Sequence, residues 1–311
     1  MHQISFSPCL LEGLAGQTAV ITGSARGIGA STAALFNSHG ANTVVVDLPS
    51  SRAAVEALVS SFPHPGKALF VPADVTVWQD LVSVFKTASQ RFGRVDVLIA
   101  NAGVMESAPV MDIEVDVNGD PIESAEALKV LDVNLKGTLN ILRLGLHYLS
   151  KNPLSPVGLR GSIVCITSTS GYFGSTGNAA YISSKHGVVG LVRASLARAA
   201  SLDIKLNAVA PATPQHTSPG VSASASPRLG SRPTPPEAVA VAIASLAADT
   251  ATHGISCLVW GKYKRELELT QRETMKDWLG SDLVESFTAF GRLLESIGGF
   301  PLPQNGSQAI S

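Results

Sequence analysis

Residues 18–29 read TAVITGSARGIG, and this stretch decides the fold. Thr18 to Thr22 are apolar or β-branched, which indicates a buried strand, and a helical pattern runs on from the glycines to Ser38. Glycines between a strand and a helix let the backbone turn tightly and approach an anion, while the helix start presents free N–H groups and the positive end of its dipole. The stretch therefore predicts a strand–turn–helix unit that binds phosphate groups.

The turn supplies a set of candidate cofactor-binding residues. They are Gly23, Ser24, Arg26, Gly27, Ile28 and Gly29. Their GxxxGxG spacing differs from the GxGxxG of the dinucleotide fingerprint, so the residues that follow matter. Asp47 ends the next predicted strand, 18 residues beyond Gly29, close to the ~20 expected for a carboxylate that holds the ribose hydroxyls of adenosine. The pattern favours dinucleotide binding over the alternatives, in which the glycines serve close packing and Asp47 serves a turn.

Two charged residues bear on the type of dinucleotide. A 2'-phosphate beside Asp47 would meet a like charge, on a scale of about 4 kcal/mol for unit charges 4 Å apart at an effective dielectric of 20. Arg26, in the glycine turn, has a guanidinium that can pair with such a phosphate. The sequence therefore favours NAD as the cofactor and leaves NADP open.

Short β-branched runs alternate with helical patterns along most of the chain, which predicts a doubly wound α/β fold with a mostly parallel, Rossmann-like sheet. The seven predicted strands lie at residues 18–22, 43–46, 68–71, 95–99, 161–166, 204–209 and 255–259. We expect one dinucleotide-binding catalytic domain over residues 14–261, after an N-terminal extension at residues 1–13. The ligand site should lie beyond the carboxyl ends of the strands.

Two segments depart from this alternation. Residues 211–236 hold seven of the chain's 18 prolines and many serines, a composition that resists both helix and sheet. Because this segment leaves the end of the sixth strand, we interpret it as a substrate loop that covers the site, with a plain linker as the alternative. Residues 262–311 carry apolar residues at helical spacing over 264–278 and 283–297, which predicts a helical tail with a frayed end.

Composition excludes several classes of protein. Hydrophobic residues make up 45% of the chain and charged residues 15%, so a folded core is expected rather than disorder. The net charge of −1 offers no basic field for nucleic acid. Three cysteines without CxxC spacing predict neither a disulfide framework nor a metal site, and no segment has the pattern of a signal peptide or a membrane span. These features favour a cytoplasmic protein with a small-molecule ligand.

A candidate catalytic group follows the fifth predicted strand. Tyr181 and Lys185 are four residues apart near a predicted helix start, so they share one helix face. An ammonium and a cationic cofactor nearby would lower the pKa of the phenol from its usual ~10 and enable acid–base work. Ser168, at the strand end, has a hydroxyl that could hold a substrate oxygen, and Ser170 is the alternative for that role.

Further motifs accompany these residues in a fixed order. They are TGSARGIG, Asp74-Val75, Asn101-Ala102-Gly103, Val133-Asn134-Leu135, Ser168 and YxxxK. Together they resemble the short-chain dehydrogenase/reductase family over roughly residues 14–260. The stretches LDVNLKGTLNILRLGLHYL and YISSKHGVVGL are further similar to the 15-hydroxyprostaglandin-dehydrogenase-like branch, which includes fungal secondary-metabolite dehydrogenases.

The resemblance implies catalytic roles for four positions. Tyr181 would donate or accept the proton, Lys185 would bind the nicotinamide ribose and tune Tyr181, and Ser168 would orient the substrate oxygen. Asn134 would hold a water in a proton relay. The implied reaction is reversible, NAD(P)-dependent interconversion of a secondary alcohol and a ketone. The alternatives are an NADPH-dependent ketoreductase and a nucleotide-binding sensor or scaffold without turnover.

The resemblance also implies cofactor contacts and an assembly. Asp74, beside Val75, would meet the adenine, and Asn101 would line the cofactor cleft. The long helices near residues 128 and 188 would pair across subunits in a homodimer or homotetramer. The chain departs from the family after the sixth strand, where it reads PATP from residue 211 instead of continuing Pro-Gly, so substrate contacts there do not transfer. The substrate is expected to be apolar.

Overall fold

The computed structural model describes residues 2–174, 177–212 and 234–297. In that part of the chain eight strands form one sheet: β1 (Thr18–Thr22), β2 (Asn42–Asp47), β3 (Ala68–Pro72), β4 (Val97–Ala100), β5 (Gly161–Ile166), β6 (Ile204–Pro211), β7 (Ser256–Trp260) and β8 (Tyr263–Glu266). The helices there are α1 (Gly27–Ser38), α2 (Arg52–Ser60), α3 (Trp78–Phe92), α4 (Ala125–Leu131), α5 (Gly137–Leu149), α6 (Ala179–Ala200), α7 (Pro236–Ala248), α8 (Glu268–Leu279) and α9 (Ser281–Ser296).

The sheet has the order β3-β2-β1-β4-β5-β6-β7-β8, and the first seven strands run parallel. The chain winds outward in one direction through β2 and β3 and in the other through β4 to β7. The reversal between β1 and β4 opens a crevice at the carboxyl ends of the strands, where ligands of such sheets bind. The predicted doubly wound, Rossmann-like fold is confirmed.

Helices cover both faces of the sheet because successive side chains of each strand point to opposite sides. On one face Val20 and Leu98 pack in a buried cluster with side chains of α3, α5 and α6. On the other face Ile21 and Ile99 pack with side chains of α1, α2 and α7. The strands are therefore apolar on both sides, which explains why they read as continuous β-branched runs.

The eighth strand differs from the sequence prediction, which placed helix from residue 264 onward. β8 pairs antiparallel with β7, and α8 begins only at Glu268. The N-terminal extension lies along β8, since Ile4 donates its N–H to the Lys264 carbonyl and Glu266 donates its N–H to the His2 carbonyl. Strand β8 is thus paired on both sides, so it does not form an open sheet edge. The helical periodicity of the sequence does not reveal this pairing.

Residues from Glu268 onward form a second compact unit, in which α8 and α9 pack against each other. The segment at residues 213–233, where the sequence predicts a substrate loop, lies outside the described residues, as does the predicted frayed end at 298–311. A search of the described helices found none with the length and apolar character that a membrane span requires.

Candidate active site

The glycine turn between β1 and α1 is built for close backbone approach. Gly23 has a φ of +66°, a conformation that favours glycine, and a Cβ at Gly29 would lie 2.1 Å from the Gly23 carbonyl oxygen. Arg26, the residue before α1, is exposed, and its guanidinium has no acceptor atom that could cap the first N–H groups of the helix. Helix N-termini of this kind suit a pyrophosphate, so the turn is a candidate cradle for a dinucleotide.

Asp47 lies at the carboxyl end of β2 and is tied to this turn. Its Oδ2 accepts the Ala25 N–H at 2.8 Å, and its Oδ1 accepts the Leu48 N–H at 2.8 Å and the Ser51 hydroxyl at 2.9 Å. Ser24 is fully buried and donates its hydroxyl to the Val46 carbonyl. The carboxylate therefore stands beside the glycine turn, as the sequence spacing predicted.

Asn101 holds the turn from the neighbouring strand. Its side-chain Nδ2 donates to the Thr22 carbonyl at 2.9 Å and to the Gly23 carbonyl at 3.0 Å. Asp74 follows β3 and uses Oδ1 to accept the N–H and the hydroxyl of Thr76, at 2.8 Å each. Val75 is buried against Gly137, where a Cβ would come within 2.8 Å of its side chain. Asn101 thus fixes the glycine turn and lines the crevice, while the contacts of Asp74 order the turn after β3.

The predicted long helix at residues 125–149 is interrupted by a π-helical turn, Asp132–Lys136, that contains Asn134. The Asn134 side chain accepts the Val104 N–H at 2.8 Å and donates to the Val104 carbonyl at 2.8 Å and to the Ser184 hydroxyl at 3.0 Å. Ser184 in turn donates to the Tyr181 carbonyl at 2.7 Å. π-turns occur often at functional sites, and this one links the loop after β4 to the start of α6.

The catalytic candidates come together at the carboxyl end of β5. Tyr181 and Lys185 lie on α6, and the Lys185 ammonium is 5.7 Å from the centroid of the Tyr181 ring. Lys185 is buried and donates to the Ile166 carbonyl at 2.9 Å. The Ser168 hydroxyl lies in the same crevice as Tyr181, near enough to lower the pKa of its phenol. Ser168 rather than Ser170 lines that crevice, and Ser170 donates its N–H to the Ser168 oxygen at 3.1 Å.

Burial has the largest effect on the pKa values of Tyr181 and Lys185. Burial raises the pKa of Tyr181, while the Ser168 hydroxyl lowers it and the negative charge of Glu106 raises it. Burial also lowers the pKa of Lys185 to about 8, an effect that nearby Cys165 opposes. The sequence argument expected a lowered Tyr181 pKa from two neighbouring cations. In the protein alone desolvation outweighs the ammonium, since it disfavours the charged form of both residues.

Sequence reasoning missed Glu106, which lies in the loop after β4. Its carboxylate accepts the N–H groups of Ala180 and Tyr181 at the start of α6. No motif in the sequence signals this contact, because Glu106 stands 75 residues before Tyr181 in a segment without periodicity.

One crevice at the carboxyl ends of the strands brings the two halves of the site together. Its lining residues are Ile28, Asn101, Gly103, Met105, Ile166, Thr167, Ser168, Tyr181, Lys185 and Pro211. Ile28 belongs to the first turn of α1, so the glycine cradle opens into the same crevice as Tyr181 and Lys185. A cofactor in the cradle can therefore reach the catalytic group.

Comparison with known proteins agrees with this geometry. Residues 17–222, about two thirds of the chain, match the family model described as short chain dehydrogenase. The chain belongs to the short-chain dehydrogenase family. This dehydrogenase is accordingly an oxidoreductase, and its family uses NAD or NADP as the cofactor.

Several relatives are similar to this short-chain dehydrogenase. Human (Homo sapiens) 3-hydroxyacyl-CoA dehydrogenase type-2 is 34% identical over 196 residues, which are 63% of this chain and 72% of that protein. Short-chain dehydrogenase/reductase prx4 of Penicillium roqueforti is 36% identical over 201 residues, 64% of this chain but only 55% of that protein. Short-chain dehydrogenase reductase 3a of Arabidopsis thaliana is 33% identical over 198 residues, 64% of this chain and 71% of that protein.

Proposed function

We propose that this short-chain dehydrogenase interconverts a secondary alcohol and a ketone, with Tyr181 as the acid–base residue. The observation that carries the proposal is that Ser168, Tyr181 and Lys185 line one crevice, with the Lys185 ammonium 5.7 Å from the centroid of the Tyr181 ring. These three groups line the crevice into which the glycine cradle opens. Geometry of this kind suits proton transfer to or from an oxygen that both hydroxyls contact.

Each residue has a distinct task in the reaction. The bound dinucleotide supplies the hydride in reduction and takes it up in oxidation. Ser168 donates a hydrogen bond to the substrate carbonyl oxygen, and Tyr181 gives that oxygen its phenolic proton as the carbon gains the hydride. Lys185 holds the nicotinamide ribose and stabilises the phenolate that results. In oxidation the Tyr181 phenolate takes the proton of the substrate hydroxyl as the carbon loses its hydride. This is the reverse of the reduction, so atoms and charge balance in both directions.

The proton lost by Tyr181 has to be replaced from solvent. Asn134 is buried, and its side chain is bound to Val104 and Ser184. We propose that Asn134 serves the relay through the turn that it shapes, with a water held near its main chain and Lys185. The Asn134 carbonyl in the π-helical turn accepts the Thr138 hydroxyl at 2.6 Å, which fixes the turn.

NAD is the proposed cofactor, and the contacts of Asp47 support it. Its carboxylate stands at the end of β2 with one oxygen on the Ala25 N–H of the glycine turn. A ribose 2'-hydroxyl can donate to such a carboxylate, whereas a 2'-phosphate would be repelled by it. Asp74 and Val75 would flank the adenine. Exposed Arg26 is the group that would favour NADP instead, in the manner of a ketoreductase.

The substrate is proposed to be a mostly apolar secondary alcohol, such as a secondary metabolite. Met105, Ile166 and Pro211 provide apolar walls beside the catalytic hydroxyls. One relative carries the name 3-hydroxyacyl-CoA dehydrogenase type-2. A 3-hydroxyacyl thioester therefore belongs in any first substrate panel, together with cyclic and long-chain secondary alcohols.

Replacing Tyr181 with phenylalanine tests the proposal. Removal of a general acid–base group lowers turnover by about 10²- to 10⁴-fold, while NAD affinity should stay close to that of the parent because the ring remains. Turnover of the alcohol panel is followed by the absorbance of reduced nicotinamide, and binding by quenching of protein fluorescence. Tyr148→Phe is the matched control, since it removes a phenol stacked on Phe85 outside the site.

The outcomes separate the candidate functions. Parental turnover by Tyr181→Phe would contradict the acid–base role. NAD binding without turnover of any panel member would favour the nucleotide-binding sensor. A preference for NADPH with ketone substrates would favour the ketoreductase.

A further inference from the structure

Glu106 caps a helix that it does not belong to. Only 8% of this residue is exposed, and its carboxylate reaches the first turn of α6 from the loop after β4. Oε1 accepts the Ala180 N–H at 3.0 Å, and Oε2 accepts the Tyr181 N–H at 3.0 Å. Asn178, the residue before the helix, makes no side-chain cap. Glu106 therefore satisfies N–H groups that have no partner within the helix.

The loop that carries Glu106 is held on both sides. Before it, Val104 exchanges two hydrogen bonds with the Asn134 side chain. After it, Ser107 donates its N–H and its hydroxyl to Glu126 Oε1, each at 2.6 Å. A buried carboxylate costs free energy unless it is well bonded, so these anchors fix its position relative to α6.

We propose that Glu106 is a positioning residue of the active site, which clamps the first turn of α6 and places a buried negative charge beside Tyr181. This inference rests on the proposed acid–base function of Tyr181. Glu106, in a loop without a recognised motif, is then a charged group that influences the pH range in which Tyr181 works.

Electrostatics give the clamp a second effect. Among the described residues, the titratable groups around Tyr181 are Glu106 from the loop after β4, Lys185 from α6 itself, and Cys165 from β5 behind Lys185. Burial raises the pKa of Cys165 to about 12, so this thiol stays neutral near pH 7. Burial is the largest effect that opposes the phenolate, and the Glu106 charge adds to it, while Ser168 acts in the opposite sense.

The chemical consequence concerns direction. Reduction of a ketone needs a protonated Tyr181, and oxidation of an alcohol needs the phenolate. The negative charge of Glu106 makes the Tyr181 phenolate harder to form. Reduction should therefore continue to higher pH, and oxidation should begin only at higher pH. Removal of the Glu106 charge should move the alkaline limb of reduction and the acid limb of oxidation to lower pH.

Glu106→Gln is the main test variant, because glutamine keeps a side-chain oxygen for an N–H but lacks the charge. Glu106→Asp keeps the charge and shortens the reach. Glu126→Gln is the matched control, since it removes a carboxylate that anchors the same loop through Ser107. Each variant is labelled with ¹³C at the tyrosine Cζ, and the Tyr181 signal is identified by its loss in Tyr181→Phe. Its pKa is then titrated by NMR with saturating NAD and no substrate.

The expected result is a Tyr181 pKa about half a unit to one unit lower in Glu106→Gln, from loss of one nearby charge. Glu126→Gln should keep the parental value, and Glu106→Asp should lower the Tyr181 pKa by less than Glu106→Gln, because its charge remains but moves away from α6. The alkaline limb of ketone reduction should fall by the same amount in Glu106→Gln, with kcat affected and the KM for the cofactor unchanged.

Two results would overturn the proposal. One is an unchanged Tyr181 pKa in a folded Glu106→Gln variant, and the other is an equal fall in Glu126→Gln, which would assign the effect to loop displacement. If Glu106→Gln does not fold, Glu106→Asp tests the same dependence, because the shorter side chain moves the carboxylate. An unchanged Tyr181 pKa in Glu106→Asp would then refute the proposal. Because the NMR titration needs no turnover, it stays informative even if Tyr181→Phe proves active and the proposed function fails.

Discussion

Asp47 combines two tasks in one side chain. Its carboxylate accepts the Ala25 N–H and the Ser51 hydroxyl, so it helps to shape the glycine turn. In the proposed function the same charge also meets the adenosine ribose of the dinucleotide. A substitution that removes the whole carboxyl group would confound the two tasks, whereas an amide of the same shape separates them.

Asp47→Asn should therefore relax the choice of cofactor while the Ala25 N–H keeps its acceptor, at the cost of the bond from the Leu48 N–H to Oδ1. Asparagine keeps an oxygen for the Ala25 N–H but does not repel a 2'-phosphate. We expect the ratio of NADPH to NADH affinity to rise about tenfold or more, less than the full Coulomb energy because the site is open to water. Fluorescence titration with both cofactors measures it. Asp203→Asn, at the opposite edge of the sheet beside Arg160, is the control, and an unchanged ratio in Asp47→Asn would refute the role of the charge.

At the scale of elements, the end of α7 is held by a buried lysine from β6. The Lys205 ammonium donates to the carbonyls of Leu246 at 3.2 Å and Ala247 at 3.3 Å, and also to the Asp249 carbonyl. These carbonyls have no partner within the helix. Burial lowers the pKa of Lys205 to about 8, an effect that the charge of Asp249 opposes.

Lys205 should make stability depend on pH in a defined window. A lysine whose pKa is about 8 in the folded protein and 10.5 in the unfolded chain binds fewer protons when folded, so stability rises with pH between these values. Relative to Lys205→Met, the parent should gain up to about 3 kcal/mol in free energy of unfolding from pH 8 to 10.5. Urea unfolding across this range measures the difference. Lys67→Met, which removes an exposed ammonium bound to the Gly40 carbonyl, is the control; a constant difference for Lys205→Met would contradict the prediction.

At the scale of the whole molecule, the outer faces of α4 and α5 carry leucines in contact with solvent. Leu128 is 43% exposed and Leu139 is 40% exposed. The family resemblance implies that these helices and α6 pair across subunits. Apolar side chains on a shared surface gain free energy when an interface covers them, at roughly 25 cal/mol per Å².

Leu139→Arg should accordingly weaken self-association. A guanidinium at the centre of a helix–helix interface loses its hydration without a partner, so we expect the dissociation constant to rise at least about tenfold. Sedimentation velocity over a concentration series measures it. Leu154→Arg alters an equally exposed leucine in the loop between α5 and β5 and should leave the assembly unchanged. A monomeric parent would contradict the assembly itself.

Much of the site was predictable from sequence because the information is local. The turn from Gly23 to Gly29 needs glycine for its own backbone, and Tyr181 and Lys185 meet because a helix places them on one face. The alternation of strands and helices likewise predicts the parallel sheet, since strands buried on both faces have to be apolar throughout.

The remainder depends on contacts between distant segments. Strand β8 exists because β7 and the N-terminal residues pair with it, although residues 264–266 continue a helical pattern. The π-helical turn at Asn134 and the meeting of Ser168 with Tyr181 in one crevice are likewise set by neighbouring elements. Burial raises the pKa of Tyr181, whereas the sequence argument from neighbouring cations predicted a lowered value.

From the sequence alone came the fold class, the glycine turn after β1 and the pairing of Tyr181 with Lys185 on one helix face, because periodicity, backbone freedom and helical spacing act over a few residues. Only the tertiary structure decided that Glu106 clamps the helix of Tyr181 and that desolvation governs its proton. Burial and Coulomb interactions depend on distance in space, and a separation of 75 residues in the chain carries no trace of a 3.0 Å contact.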